Sequence, residues 1–426
     1  MLGYIVRKYH WRCCYLNVNR ERIMQRIDAF AGFNDNDDGG ISRFSYGRAD
    51  ADARAWLMQI CRELKLQVTV DPVGNIRACY EGVDSSLMPV LVGSHIDSVR
   101  NGGKYDGIVG VVGAMEVLTV MRENNCLPRR SVELIIFAEE EGSNFGTTMV
   151  GSKTLIGKLS ADDLRHLHTE DKRTCLEILE KSGLDPGKMK DFVLKPGDIE
   201  AMLELHIEQG IVLEQEKKRL GVVQAIAGMT TMEVTVCGTS NHAGATPMYL
   251  RNDPMSAAAV LIEDIEDIAA NHVLESTVAT VGSISCRPNM PNVIPGEVTF
   301  TIDIRDIEQD AIEKTVAQIT SCAEKISQER KVMIRFRTIG SSKPIRLSPR
   351  IMDTVKRAVS SCSDSWMVMN SGAVHDAAMM ASITDVGMIF VPSVGGKSHN
   401  PEEYTDPSDI ALGCQALLLA VTELCV

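Results

Sequence analysis

Apolar residues recur at helical spacing over Met24–Phe30 and Ala51–Leu66, which predicts two helices. Leu66–Asp71 then starts a strand that turns at Pro72–Asn75. Pro89–Gly93, Val132–Ala138, Ala201–Leu205 and Val386–Val391 are short, continuous apolar runs, as expected of parallel strands buried on both faces. From about Gly107, the residues Ile108, Val111, Val112 and Met115 share one helical face, so a helix should lie on that sheet.

Between about Gly221 and Ile339 the period changes. Met232, Val234 and Val236 alternate with polar residues, as do Val298, Phe300, Ile302 and Ile304, and Val332, Ile334 and Phe336. Period-two alternation predicts strands with one buried face. Two helices interleave with them. The first is capped by Asp253, has Pro254 in its first turn and carries Ala258, Leu261, Ile262 and Ile265 as a stripe. The second runs from about Asp310 to Ile326. The predicted fold class is therefore α/β: a central mixed, mostly parallel sheet flanked by helices, with an inserted α+β sandwich of ferredoxin-like order. The expected boundaries are 1–220 with 340–426 for the larger domain and 221–339 for the insertion.

Composition narrows the function. A chain of 426 residues is too long for one ordinary core. With 44 Lys and Arg against 57 Asp and Glu, the net charge is −13, so no broad positive field exists to hold a nucleic acid. Small anions remain possible ligands through a local arginine. The 12 cysteines include no CxxC pair and read as thiols in a reducing compartment. Cys13 and Cys14 are adjacent, which is poor geometry for a mutual disulfide. No apolar run approaches the roughly 20 residues of a membrane span. The aromatic, basic opening Met1–Asn19 reads as a non-functional extension, since its apolar stretch Leu2–Val6 is too short for a signal peptide. The expectation is a cytoplasmic protein without a membrane or nucleic-acid partner.

Five segments concentrate His, Asp and Glu: Gly93-Ser-His-Ile-Asp97, Lys104-Tyr-Asp-Gly107, Glu139-Glu-Glu-Gly142, Glu204-Leu-His-Ile-Glu-Gln-Gly210 and Lys397-Ser-His-Asn-Pro401. Ligands of open α/β sheets bind beyond the carboxyl ends of strands. His95, Glu139–Glu141 and His206 each follow a buried run directly, so they should converge. A lone histidine is more often a hydrogen-bonded core or surface residue, as His10, His166, His168 and His272 are expected to be. Three at strand ends, accompanied by acids, instead suit Zn²⁺, Mn²⁺, Co²⁺ or Ni²⁺, and bridging carboxylates allow two ions. Acidic runs are commonly solvated loops, but Leu134–Ala138 drives Glu139–Glu141 inward. Two adjacent acids there can divide metal binding from proton transfer.

The motifs GSHIDSV, GGKYDG, AEEEGSNF, ELHIEQG, NHAGATPM, PNVIPG and SHNPEE occur in this order. Together they resemble the hydantoinase/carbamoylase-type amidohydrolases, a branch of the dinuclear-zinc aminoacylase and carboxypeptidase-like peptidases. That branch includes N-carbamoyl-L-amino-acid hydrolases and allantoate amidohydrolases. The resemblance runs from about Arg22 to the C-terminus. It implies two divalent ions per subunit, with zinc first in line. His95 and His206 would hold one and Glu141 and His399 the other, with Asp106 between them. Glu140 would be the general base, and Asp97 would orient a ligand or tune that base. His242 would donate to the developing oxyanion, and the inserted domain that carries it would act as a lid and dimerisation domain. Asn292 and Arg305 would contact a substrate carboxylate, with Gln209 and His375 as further substrate contacts. Arg305 lies between Asp303 and Asp306, so an internal salt bridge is its alternative fate.

The implied reaction is hydrolysis of the carbamoyl C–N bond of an N-carbamoyl-L-amino acid, releasing amino acid, CO2 and ammonia, by a homodimer. His206 favours this branch, because peptidase relatives tend to carry a carboxylate there. Two departures bear on substrate. Val374 in Ser371-Gly-Ala-Val-His-Asp376 stands where the family has glycine, and Thr231 stands where allantoate-specific relatives carry arginine. The loss of that cation leans away from allantoate. Allantoate hydrolysis, a dipeptidase or aminoacylase activity, and a catalytically silent scaffold are the alternatives; the complete ligand set disfavours the last.

Overall fold

The fold is described from a computed structural model, covering residues 16–36 and 39–425. The opening segment to residue 15, with its two adjacent cysteines and His10, lies outside the described residues. The described residues divide into two compact units: those within 16–224, 347–371 and 375–425, and those within 225–346 with 372–374.

The first unit is built on a mixed sheet. Its order is Gln67–Val70, Ile76–Tyr80, Val132–Phe137, Val90–His95, Ala201–Ile207, Asp385–Val391 and Leu220–Ile226, with Trp366–Ser371 also paired to Leu220–Ile226. The four strands Val132–Phe137, Val90–His95, Ala201–Ile207 and Asp385–Val391 are parallel. Their nearly unbroken burial matches the continuous apolar runs that predicted them.

Strand alternation decides which side chains meet the site. Ala201, Leu203, Leu205 and Ile207 enter the main core, as do Val90 and Val92. His95 and His206 therefore emerge on the other face. The core face is covered by helices Ile108–Glu123, Pro349–Cys362 and Pro407–Cys425. Pro407–Cys425 is long and apolar enough to cross a membrane, a length the sequence pattern did not reveal. Ile410, Cys414, Leu417, Leu418 and Val421 are nonetheless fully buried in this unit, so it is a core helix.

Two predicted helices begin earlier than their apolar stripes. The first spans Arg20–Gly32, because the Asn19 side chain accepts from the Arg22 N–H and caps a polar first turn. The second spans Arg48–Glu63.

The second unit has an antiparallel sheet in the order Met333–Ser342, Gly228–Cys237, Glu297–Asp306 and Val278–Arg287. Helices Pro254–Asn271 and Gln309–Arg330 cover one face, where Val234, Val236, Val298, Phe300, Ile302 and Ile304 are buried. Asp253 caps the first helix by accepting from the N–H groups of Met255 and Ser256, worth about 1 kcal/mol. A short ribbon pairs Val293 with His242 and Ile294 with Asn241.

Candidate metal centre

Asp106 lies at the middle of the site. Its Oδ1 is 3.2 Å from Nε2 of His206 and 3.6 Å from Nε2 of His95, while Oδ2 is 3.2 Å from Nε2 of His399. One carboxylate thus presents its two oxygens to two different sets of imidazoles. Each buried histidine is aimed by its other nitrogen: Nδ1 of His95 faces the Asp97 carbonyl at 3.1 Å, and Nδ1 of His206 the Ile207 carbonyl at 2.9 Å. A proton held on Nδ1 by these carbonyls leaves Nε2 as a lone-pair donor. The preceding turn must pass close: a Cβ on Gly107 (φ +65°) would sit 2.6 Å from Nε2 of His95, so only glycine fits.

The carboxylate edge follows the Val132–Phe137 strand. Glu141 Oε2 lies 3.6 Å from Nε2 of His399, and Glu140 Oε2 lies 3.9 Å from Nε2 of His95. Asp97 fixes this edge by accepting from the N–H of Glu140 at 3.2 Å and of Glu141 at 3.0 Å. Glu139 turns away, and its carboxylate accepts from Asn144. Glu139, Gln209 and His399 all adopt left-handed backbone conformations, which non-glycine residues rarely do and which gather at functional sites.

The electrostatics are those of an acid-rich pocket out of water. Burial, with Asp106 nearby, lifts Glu141 to about 7. Burial pushes Glu140 well above the usual carboxylate range against the pull of His95, and lifts Asp376 to about 8. The Asp106 hydrogen bond raises His399 to about 9. Burial opposes ionisation of Asp106, but His206, His399 and His95 hold it well below the ordinary value.

These donors fit divalent cations. Ligand atoms of His95, Asp106 and His206 lie within 4.8 Å of one another, as do those of Asp106, Glu141 and His399. Glu141 Oε1 is buried without a hydrogen-bond partner, a costly state that a cation would relieve. Imidazole with carboxylate suits zinc and its neighbours in the first transition row.

The remaining sequence candidates are dispersed around other contacts. Gln209 donates to Asp106 Oδ2 at 2.6 Å. His375 is buried, with Nε2 2.9 Å from the Ser371 hydroxyl and its ring 4.6 Å from that of His206. Burial, then the charge of His206, holds His375 well below the usual imidazole range. In the second unit, Nδ1 of His242 accepts from the N–H groups of Gly244 and Ala245, leaving Nε2 to carry the proton. The same ribbon holds Asn292, whose carbonyl accepts from Ala243. Arg305 donates from Nε to Asp303 at 2.7 Å and from Nη1 to the Gly372 carbonyl at 2.8 Å.

Sequence reasoning missed Glu403, which accepts from the N–H groups of Tyr105 and Asp106 and from the Ser398 hydroxyl. It sits four residues beyond His399, in the SHNPEE segment, and that proximity was the available signal.

The description "Peptidase family M20/M25/M40" belongs to the family model that matches residues 91–423. This chain is a member of that family. Among M20 relatives, the N-carbamoyl-L-amino-acid amidohydrolase of Paenarthrobacter aurescens is 37% identical over 398 residues, 93% of this chain and 96% of that one. The ureidoglycolate hydrolase of Oryza sativa subsp. japonica is 35% identical, across 96% of this chain and 85% of the relative. The crystal structure of a hydantoinase/carbamoylase family amidase from Burkholderia multivorans matches with a TM-score of 0.90 at 31% identity, covering 96% of this chain and 98% of the other. The amidohydrolase resemblance and the mixed α/β architecture expected from the sequence are thus borne out.

Proposed function

We propose that this M20 member is a metal-dependent amidohydrolase that cleaves the carbamoyl C–N bond of an N-carbamoyl-L-amino acid, releasing the amino acid, CO2 and ammonia. The observation that carries the reading is the division of Asp106, one oxygen toward His95 and His206 and the other toward His399. It supports two divalent ions, most simply zinc, held by His95 and His206 on one side and Glu141 and His399 on the other, with Asp106 shared. Such a pair supplies, when bound, polarisation of the ureido carbonyl and acidification of the attacking water.

The chain's own residues supply the rest. Glu140 is buried beside His95 at 3.9 Å; the positive charge of bound cations would offset the burial that favours its protonated form, leaving a carboxylate able to accept a proton from water. It then returns that proton to the departing nitrogen. Asp97 holds the Glu140 backbone in place. His242, its proton directed to Nε2 by the two N–H groups on Nδ1, would donate to the oxyanion as charge develops. Asn292 and Arg305 would bind the substrate carboxylate, which a guanidinium can engage through two N–H groups.

The names of the relatives support an N-carbamoyl amino acid first and ureidoglycolate second. A homodimer is supported by Val278 and Met333, exposed apolar residues on the uncovered side of the inserted sheet. The described cysteines are all free, in keeping with a cytoplasmic location. The test is ammonia release from a panel of N-carbamoyl-L-amino acids, ureidoglycolate, allantoate and simple dipeptides. Turnover of N-carbamoyl-L-amino acids above the others supports the reading, and turnover of dipeptides alone refutes it.

A further inference from the structure

Among the described residues, Glu139 belongs to no group of side chains that could share an ion, yet it is fully buried one residue before Glu140. Its carboxylate accepts from the Asn144 backbone N–H at 2.9 Å and from Asn144 Nδ2 at 2.8 Å. Its own N–H donates to the Ser45 hydroxyl at 2.8 Å, and Asn144 Nδ2 also donates to the Ser45 carbonyl at 2.8 Å. Asn144 and the Ser45 side chain both act on this buried carboxylate, so it ties the turn to the Ser45 segment.

The segment under this turn holds the other half of the site as well. Arg43, two residues before Ser45, is buried and donates from Nε to the Ile96 carbonyl at 2.6 Å. Its backbone N–H donates to the Ser98 hydroxyl at 2.9 Å, and its carbonyl accepts from the Ser98 N–H at 3.0 Å. Arg43 therefore grips the turn that follows His95, and Ser45 grips the turn that carries Glu140 and Glu141. Residues 43–45 thus link the imidazole and carboxylate edges, beside the direct bonds from Asp97 to the Glu140 and Glu141 N–H groups.

We propose that Glu139 is a positioning residue: through Asn144 and Ser45 it fixes where Glu140 stands relative to His95, without holding an ion or moving a proton. The inference rests on the reading of Glu140 as general base. Its signature is a loss confined to turnover. In E139Q the new amide NH2 must face either Asn144 Nδ2 or the Asn144 backbone N–H, and flipping Asn144 would oppose its oxygen to the Ser45 carbonyl, so no rotamer restores both bonds.

The experiment uses the full-length, metal-loaded protein and measures kcat, KM, bound metal and melting temperature. E139Q should keep its metal and its KM within about twofold, while kcat falls about 10–100-fold. N144D sets two carboxylates face to face and should be less active still. The double variant E139Q/N144D restores a donor–acceptor pair and should be more active than N144D alone, which a general loss of stability would not produce. S45A, which removes the hydroxyl that accepts from the Glu139 N–H and also bonds its carboxylate, carries the same test if E139Q does not fold; its kcat should fall at unchanged metal content. E140Q, run in parallel, separates the two readings, because a fully active E140Q refutes the base assignment itself. With E140Q inactive, a wild-type kcat in E139Q or S45A, or a double variant no better than N144D, overturns the positioning role.

Discussion

Nε2 of His206 stands 3.2 Å from Oδ1 of Asp106, with both side chains almost sealed from solvent. Under the proposed two-ion reading, a carboxylate so placed, with its second oxygen 3.2 Å from Nε2 of His399, would serve both ions. In D106N one of its two oxygens becomes an NH2 group, which cannot coordinate. Bound metal should fall from about two ions per subunit to one or fewer, and turnover should drop further than the loss of about 100-fold typical of removing an outer hydrogen-bond partner. Elemental analysis of the purified variant checks the first expectation and ammonia release the second.

The acid-rich pocket makes the metal-free protein sensitive to alkali. Glu141 at about 7, Glu139 and Asp376 at about 8, and His399 at about 9 all bind protons more tightly when folded. Each stabilises the fold fully below its unfolded pKa, near 4 for the acids and 6.5 for histidine. That stability is lost as pH rises through the folded values. His375 and Asp106, both held low, act in the opposite sense, losing stability only as pH falls. Calorimetry of chelator-treated protein should therefore show a melting temperature that falls between pH 7 and 9, and metal should raise it more at pH 9 than at pH 7. A melting temperature that rises over that interval would contradict the assignment.

Thr231 pairs in register with Asp303, its hydroxyl 3.5 Å from the carboxylate that holds Arg305. An arginine at 231 would compete for Asp303 and release the Arg305 fork. T231R should then raise kcat/KM for allantoate relative to N-carbamoyl-L-amino acids by about tenfold, the scale of one charge-assisted hydrogen bond. Competition assays with both substrates measure the ratio directly, and an unchanged ratio would remove Thr231 from substrate selection.

Burial raises the thiols of Cys61, Cys175 and Cys425 to about 12. The thiolate is the reactive form, so alkylation at pH 8 should spare these three in the folded protein and reach them in denaturant. Peptide mass mapping reads the outcome. Equal labelling with and without denaturant would show that the core opens readily.

Where the pattern has a strong period, the sequence was legible. The parallel strands announced themselves as apolar runs, and the residues after them were the ones found around Asp106. Helix starts were not legible where the first turn is polar, as at Arg20 and Arg48, because their apolar stripes begin later; Asn19 caps the first, while the second starts at Gly47 without a side-chain cap. Arg43 and Ser45 were invisible for a different reason. They reach the site through backbone and hydroxyl groups far along the chain, at Ile96, Ser98 and Glu139, and no local spacing records such a partnership. Arg305 was left between substrate contact and salt bridge by its acidic neighbours; the sheet resolves only which acid it holds, since Asp303 shares its face and Asp306 does not.

The most direct measurement is E140Q, assayed for bound metal and for ammonia release from N-carbamoyl-L-amino acids. The substituted amide keeps the size of the side chain but cannot accept the proton of water. Metal content should stay full while turnover falls by about 10²–10⁴-fold, the range of a general base. A fully metallated E140Q that turns over at the wild-type rate would contradict the assignment of Glu140 as the base.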